Sequence, residues 1–358
     1  MIRKILVTGA AGFIGHHIAL RLSTYYNVVA CDYLGDIYTT NQLDMLKSMR
    51  VKRLATYRTP NPALRYDNCD LSNHADVERL FSYENFDAVI HLAAATGVQP
   101  SITRPHKYAT SNMLAFSNVI EFAARSNVRE FIYASSSSVY GADASLPMKE
   151  DADVNKPLNF YAASKRSNEL VAHSYSANYP MRTIGLRFFT VFGDYGRLDM
   201  APYKFVNSIL NDEPIQLYNF GQNTRDFTHI STVTFAVEKL LARLRFSGSL
   251  NLSSEPMSQV INIGSGNPIS TQQFLNELES IIGKKANVMM SEALTGDMID
   301  TYACTEKMKA LGLYQPHFVT DASRKMQLTE FVNWVKLFQT YNQPLVASTP
   351  LDLGGKFT

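Results

Sequence analysis

The sequence predicts an α/β protein, a doubly wound parallel sheet with a smaller C-terminal substrate-binding lobe. Three observations predict it. A β-branched run, Lys4-Ile-Leu-Val-Thr8, passes through Gly9, Gly12 and Gly15 into a helical pattern that reaches Leu22. Apolar strands then alternate with helical segments through the first half of the chain. The chemically distinctive residues fall where those strands end, which is where ligands bind on such a sheet.

The first element is a strand, a glycine turn and a helix. Gly9 permits the tight turn, Gly12 lets backbone approach a diphosphate at the positive helix N-terminus, and Gly15 lets helix and strand pack closely. The spacing is G-x-x-G-x-x-G, and Gly9, Gly12, Phe13, Ile14 and Gly15 form the expected cradle of a Rossmann-type dinucleotide site. A simple packing turn is the alternative. The next strand, Val28-Val-Ala-Cys31, ends in Asp32. A carboxylate there can hold both adenosine ribose hydroxyls and repels a 2′-phosphate, so the expected cofactor is NAD rather than NADP. The alternative is that Asp32 caps the following loop.

Residues 33 to 66 read as a loop and helix excursion. A strand follows at Arg65-Tyr-Asp-Asn-Cys69, with Asp70-Leu71 opening a helix, then the apolar strand Ala88-Val-Ile-His-Leu-Ala-Ala94. Its small terminal residues, Ala93 among them, suit close approach to a dinucleotide, and His91 reads as a satisfied core histidine. A helix over 103 to 126 leads to the strand Glu130-Phe-Ile-Tyr-Ala134 and the run Ser135-Ser136-Ser137-Ser138-Val-Tyr140-Gly141.

In Tyr161-Ala-Ala-Ser-Lys165, residues four apart share a helix face, which predicts the Lys165 ammonium beside the Tyr161 phenol. A neighbouring cation draws a phenol down from its ordinary pKa near 10 and makes it a candidate acid/base catalyst. An exposed helical pair is the bland alternative.

Lys and Arg number 34 against 32 Asp and Glu in 358 residues, a balance that gives no field for nucleic acid or an acidic membrane. Cys31, Cys69 and Cys304 are odd in number, widely spaced and without C-x-x-C, which argues against a disulfide framework and a metal site and fits reduced thiols in the cytoplasm. A strand at the very start leaves no room for a signal peptide, and no apolar run approaches about 18 residues. The expected division is 1–188 with 229–265 as the dinucleotide-binding domain and 189–228 with 266–345 as the substrate lobe. An amphipathic helix near 329 to 340 ends the pattern, with Trp334 in its core face.

Taken in order, Thr8-Gly9-x-x-Gly12-x-x-Gly15, Asp32, Asp70-Leu71, His91-Leu-Ala-Ala94, the serine run, Tyr161-x-x-x-Lys165, Arg187-Phe-Phe-Thr190-Val-Phe-Gly193, Thr224-Arg225-Asp226-Phe-Thr-His229, Asn262-Ile-Gly264 and Gly296-Asp297 resemble the extended short-chain dehydrogenase/reductase family. Its nucleotide-sugar epimerases and dehydratases are the similar members, over nearly the whole chain. The resemblance implies Tyr161 as acid/base, Ser136 hydrogen-bonding the C4 oxygen beside it, and Lys165 holding the nicotinamide ribose. It also implies hydride exchange between the sugar and NAD.

Related dehydratases carry Asp-Glu after the catalytic Thr, and related decarboxylases carry Glu before Val-Tyr-Gly. Here both places are serine, Ser137 and Ser138, so the implied fate of a 4-keto sugar is hydride return to its other face, a 4-epimerisation. The stretch Arg187 to Ala201 resembles that of UDP-glucuronic acid 4-epimerases, where Ser137, Ser138, Thr190 and Arg197 suit a uronate carboxylate. Tyr218 is similar to an aromatic beside the uracil, Arg225 to an arginine on the diphosphate, and Asp297 to an acceptor of the uridine ribose. The helices over 103 to 126 and 160 to 178 resemble a pair that builds a homodimer.

Three departures stand against this pattern: Gln99 in place of Arg, Leu294 in place of Gln or Arg, and Ser231-Thr232 in place of an acidic pair. The first two thin the polar contacts to the sugar nucleotide, and a 4-epimerase of a neutral or N-acetylated UDP-hexose is the alternative; the serine at 138 argues against a UDP-glucuronic acid decarboxylase, and intact Tyr161, Lys165 and Ser136 argue against a catalytically idle NAD-binding regulator.

Overall fold

A computed structural model describes residues 2–34, 42–57, 63–245, 257–293, 296 and 298–342. Its central sheet is built from β1 (Lys4–Thr8), β2 (Asn27–Asp32), β3 (Leu64–Asn68), β4 (Ala88–His91), β5 (Glu130–Ser136) and β6 (Arg182–Phe188). Short strands β7 (Thr190–Phe192), β8 (Pro214–Tyr218), β9 (Thr224–Arg225) and β10 (Phe227–His229) follow, and β11 (Ser258–Ile263) returns to the sheet before β12 (Ile269–Ser270) and β13 (Asn287–Ser291). The sheet order is β11-β6-β5-β4-β1-β2-β3, parallel throughout. The order reverses between β1 and β4, and that switch opens the crevice in which a doubly wound sheet takes its ligand.

Both faces of the sheet are dry, as the strands' near-continuous apolar runs require. Ile5, Val7, Val28, Ala30 and Ile132 point into one apolar cluster with Ile18 of α1 (Phe13–Leu22). Leu6, Val29, Cys31, Val89 and Phe131 point into the other. Successive strand side chains alternate faces, so each strand serves two cores. Next in chain order come α2 (Gln42–Thr56), α3 (His74–Ser82), α4 (Val98–Thr103), α5 (Pro105–Tyr108) and α6 (Ala115–Arg125). The later helices are α7 (Phe160–Asn178), α8 (Ala201–Asn211), α9 (Ile230–Arg245), α10 (Thr271–Ile282), α11 (Glu306–Ala310) and α12 (Asp321–Asn342). A third apolar cluster joins α8, α10 and α12 through Tyr203, Val206, Phe274, Leu278 and Phe331. Trp334 lies in it, stacked on Phe331 and Phe338.

Several boundaries differ from expectation. The helix expected over 103 to 126 starts at Val98, breaks at Arg104, and runs as a π-helix over Ala109–Leu114 before α6. Pro105 has no N–H to continue the previous turn. Asp70-Leu71 opens no helix: Asp70 accepts from Ser72 N–H and Oγ at 2.9 and 2.7 Å, and Asn73 caps α3 by accepting from Ala75 and Asp76. α12 begins at Asp321, before the expected 329. His91 is only half satisfied: Nδ1 meets Thr8 Oγ1 at 3.0 Å, while Nε2 has no partner.

Candidate active site

The glycine turn is shaped by contact. Gly9 takes φ +70°, and a Cβ there would stand 2.6 Å from Ala93 N; Cβ atoms on Gly12 and Gly15 would stand 2.8 and 2.1 Å from Gly9 O. No side chain fits at any of the three, which is what backbone approach to a diphosphate demands. Phe13 and Ile14 open α1 directly behind the turn. Asp32, at the tip of β2, accepts from Ala11 N–H and Tyr33 N–H, each at 2.8 Å, one on each carboxylate oxygen. Each oxygen keeps a further lone pair, so the residue fits an adenosine ribose. Burial raises its pKa, opposed by the Ala11 N–H and the Lys47 charge. Cys69 N–H donates to Asp32 O at 3.1 Å, and Leu71 is buried with its carbonyl taking Asn118 Nδ2 at 3.0 Å. The cradle and the carboxylate fit a dinucleotide.

The second half of the site lies where β5 ends. β5 runs on to Ser136, further than expected, and Ser137–Tyr140 form a turn of 3₁₀ helix. Ser136 Oγ accepts from Ser138 N–H at 3.2 Å and meets Ser138 Oγ at 3.2 Å. Asn159 caps α7, which starts one residue before Tyr161. Ser136 is close enough to bear on the Tyr161 phenol, and the Tyr108 ring stands edge-on to Tyr161 at 6.2 Å.

Lys165, one turn further along α7, reaches back to β5. Its ammonium, 2 % exposed, donates to Ala134 O at 3.0 Å, and burial lowers its pKa to about 8. Tyr161 is raised above its ordinary value by burial, and the groups opposing that rise are Ser136 and Arg197. The helix face brought Lys165 to the same side, but β5 offered it a carbonyl. Arg197 is the cation that bears on the phenol. Its Nε and Nη2 donate to the two oxygens of Asp199 at 3.0 and 2.6 Å, and a Cβ on Gly97 would stand 3.5 Å from Nη2.

Thr190 begins β7, with its N–H on Asp226 O at 3.1 Å. Tyr218 closes β8 and donates to Gln216 at 2.8 Å. Arg225 spends its guanidinium on the carbonyls of Thr224, Ile299 and Met298. That places it against the segment that follows Asp297; Asp297 itself, and Leu294, lie outside the described residues.

Three arrangements described next escaped the sequence reading. Glu169, two turns after Tyr161, binds Arg187 of β6 through hydrogen bonds of 2.8 and 3.0 Å and takes Ser135 Oγ at 2.6 Å. Arg187 also lies over the Tyr140 ring at 4.8 Å. Asn112, inside the π-helix, donates to Ser164 Oγ and Ala95 O at 3.0 Å and takes Ala95 N–H at 2.7 Å. Cys31 and Cys69, far apart in sequence, are side-chain neighbours, and burial together with that contact pushes the Cys31 thiol up. Glu169 repeats the i+4 spacing of Tyr161 and Lys165, a signal that could have found it. The thiol pair has no such signal. Among the described residues no cluster of three or more His, Cys, Asp or Glu could hold a metal, and no helix is long and apolar enough to cross a membrane.

Residues 5–264 match the NAD dependent epimerase/dehydratase family, and the chain belongs to that family. Its cofactor is NAD, which the glycine cradle and Asp32 fit. The chain is 36% identical to Protein CapI of Staphylococcus aureus over 342 residues, covering 92% of this chain and 98% of that protein. It is 33% identical to a UDP-glucuronate 4-epimerase of Thermodesulfobacterium geofontis, covering 92% of this chain and 95% of the relative. Its fold superposes at a TM-score of 0.79, with 31% identity, on UDP-glucuronic acid 4-epimerase from Bacillus cereus in complex with UDP-glucuronic acid and NAD, over 93% of this chain and 99% of the other.

Proposed function

We propose that this chain is an NAD-dependent UDP-sugar 4-epimerase acting on UDP-glucuronic acid, which it interconverts with UDP-galacturonic acid through a 4-keto sugar. The observation that supports this reading is the setting of one phenol: Tyr161 at the start of α7 has Ser136 and Arg197 as the groups that oppose the rise burial imposes on it, and the strand end beside it carries serine, not a carboxylate, at 137 and 138. When bound, NAD supplies the acceptor and later the donor of the C4 hydride. Gly9, Gly12, Phe13, Ile14, Gly15, Asp32, Asp70, Leu71 and Ala93 hold it, with Lys165 on the nicotinamide ribose. Tyr161 takes the C4 hydroxyl proton as the ketone forms and gives it back as the ketone is reduced, while Ser136 hydrogen-bonds the same oxygen.

Ser137, Ser138, Thr190 and Arg197 take the C6 carboxylate, Tyr218 the base, Arg225 the diphosphate and Asp297 the ribose. A 4-keto uronate loses carbon dioxide when the bond to its carboxylate stands perpendicular to the carbonyl plane. The hydroxyls of Ser137, Ser138 and Thr190 hold that group in an orientation that disfavours the loss. The first 188 residues with 229–265 serve the cofactor, and 189–228 with 266–345 serve the sugar nucleotide. Leu170 on α7 and Met113 and Leu114 ahead of α6 are exposed apolar side chains on the two helical segments assigned to a homodimer, to be checked by light scattering.

One observation favours a second reading. Both donating edges of Arg197 in use are matched to Asp199, so the arginine is already half neutralised. A 4-epimerase of a neutral or N-acetylated UDP-hexose would need no more. An NMR time course of the purified protein with UDP-glucuronic acid and no reductant separates the cases. UDP-galacturonic acid at constant total nucleotide sugar supports the uronate reading. Pentose signals, or an inert uronate beside epimerised UDP-glucose, overturn it.

A further inference from the structure

The segment ahead of Arg197 is gripped from the cofactor side of the molecule, carbonyl by carbonyl. His17 Nε2 on α1 meets Asp194 O at 2.8 Å. Arg50 on α2 donates to Tyr195 O from Nε and Nη2 at 3.2 and 2.6 Å, and to Gly196 O from Nη2 at 3.2 Å. The Arg53 guanidinium lies over the Tyr195 ring at 4.9 Å. Tyr195 itself is held at φ +55°, a conformation that costs a bulky residue on the order of 1 kcal/mol or more and persists only where its surroundings impose it.

Arg50 also reaches the other way. Its Nη1 donates to Ala11 O at 2.8 Å, inside the glycine turn, and the N–H of the same Ala11 donates to Asp32. The residue is 3 % exposed, and its guanidinium donates to the carbonyls of Ala11, Tyr195 and Gly196, with Asp32 and Arg197 as the charges that bear on it. Five rigid donors in one plane suit a clamp between two backbone segments, where a lysine offers a single point. Burying such a charge without a carboxylate against it is expensive, so the site is poorly explained as a contribution to stability.

We propose that Arg50 is a positioning residue for Arg197: by tying the Tyr195 and Gly196 carbonyls to the Ala11 carbonyl, it sets in one arrangement the glycine turn and the arginine that lies against Gly97, whose carbonyl takes the hydroxyl of Tyr108, the ring edge-on to Tyr161. This rests on reading Tyr161 as the acid/base group. The charged and titratable groups that bear on that phenol are Arg197 from the loop, ion-paired to Asp199 two residues on, and Tyr108 from α5, with the Ser136 hydroxyl from β5; Lys165 on its own helix is turned to the Ala134 carbonyl. Of these, only Arg197 is downstream of the clamp.

The test uses the protein as purified with its NAD. The phenol of Tyr161 is titrated by tyrosinate absorbance, as the difference between each variant with and without Tyr161→Phe, and NAD content is read after denaturation. Arg50→Gln is expected to raise the midpoint by about 0.5–1 pH unit, Arg197→Gln to do the same, and the double variant to go no further. Arg50→Lys, keeping one of the contacts, falls between. The alkaline shift should reappear in the kcat/KM profile of whichever UDP-sugar the parent epimerises. An unchanged midpoint in Arg50→Gln, or full additivity with Arg197→Gln, overturns the proposal, even where thermal stability or NAD content falls. If Arg50→Gln does not fold, the Arg50→Lys midpoint decides by the same criterion. Retained turnover in Tyr161→Phe refutes the acid/base reading separately, because the titration needs no turnover.

Discussion

Glu169 and Arg187 form a two-bonded ion pair, Nε to Oε1 at 2.8 Å and Nη2 to Oε2 at 3.0 Å, with both side chains 2 % exposed. Ser135 donates to the same Glu169 oxygen that receives Arg187 Nε. The pair therefore lies directly beneath the strand end that presents Ser136. Glu169→Gln leaves a buried guanidinium without its counter-charge and is expected to cost about 3–5 kcal/mol in a urea melt. The bonds to Arg187, Ser135 and Arg166 hold the Glu169 carboxyl below the ordinary glutamate value despite burial. That contribution is present above the unfolded glutamate pKa and is lost as pH falls through the lower folded one.

Turnover is expected to climb with pH through neutrality, because a raised phenol leaves little phenolate and a base must be deprotonated to act. Ser136→Ala removes a hydroxyl that opposes the rise and moves the ascending limb of kcat/KM to still higher pH. Tyr161→Phe should lower kcat by about 10²–10⁴ with NAD still bound. A limb that stays in place in Ser136→Ala would remove the serine from the proton's path.

Product partition reports on the C6 group. In Ser137→Ala, Ser138→Ala and Thr190→Val, loss of one hydrogen bond to a carboxylate should raise carbon dioxide release over epimer by roughly tenfold. Isotope-labelled uronate with trapping of the released gas measures it. Ratios unchanged in all three would sink the carboxylate pocket.

Acid stability is set by histidines that fold neutral. Burial lowers His16 to about 2, His91 to about 3, and His17 and His229 to about 4. Below the ordinary value near 6.5 the unfolded chain binds these protons and the folded one does not. Stability therefore falls as pH drops from 6.5 towards those lowered values, by about 1.4 kcal/mol per pH unit for each such group. His16 has neither ring nitrogen paired. His16→Leu should flatten the pH dependence of the urea midpoint by about one group's share, and an unflattened curve would show that His16 is protonated without penalty.

What was legible in the chain was local or periodic. Lys4 to Gly15 announced itself because strand, turn and helix are each short-range features, and three glycines at fixed spacing have one common explanation in the crowded space between Gly9 O and Ala93 N. Trp334 was legible as core from its helical stripe. For Lys165 the spacing gives the side of the helix but not the Ala134 carbonyl to which it donates. The contacts of Arg50 with Tyr195 and Gly196 and of Cys31 with Cys69 join residues distant in sequence, so no periodicity marks them; the i+4 spacing marks Glu169 but not its partner Arg187 on β6. The π-helix at Ala109–Leu114 needs a register change that its composition, Ala-Thr-Ser-Asn-Met-Leu, does not signal.

β11 seats along β6 from Ser258 opposite Thr183 to Ile263 opposite Phe188. A ribosome releases β6 long before it releases β11. During synthesis of residues 189–257, which takes several seconds at ~5–20 residues per second, the nascent sheet carries a bare edge with Leu186 and Phe188 on the exposed strand. Such an edge is a template for another chain's strand. A message ending anywhere in that interval would thus yield an adhesive fragment rather than a smaller enzyme, and a holding chaperone has a defined interval in which to act.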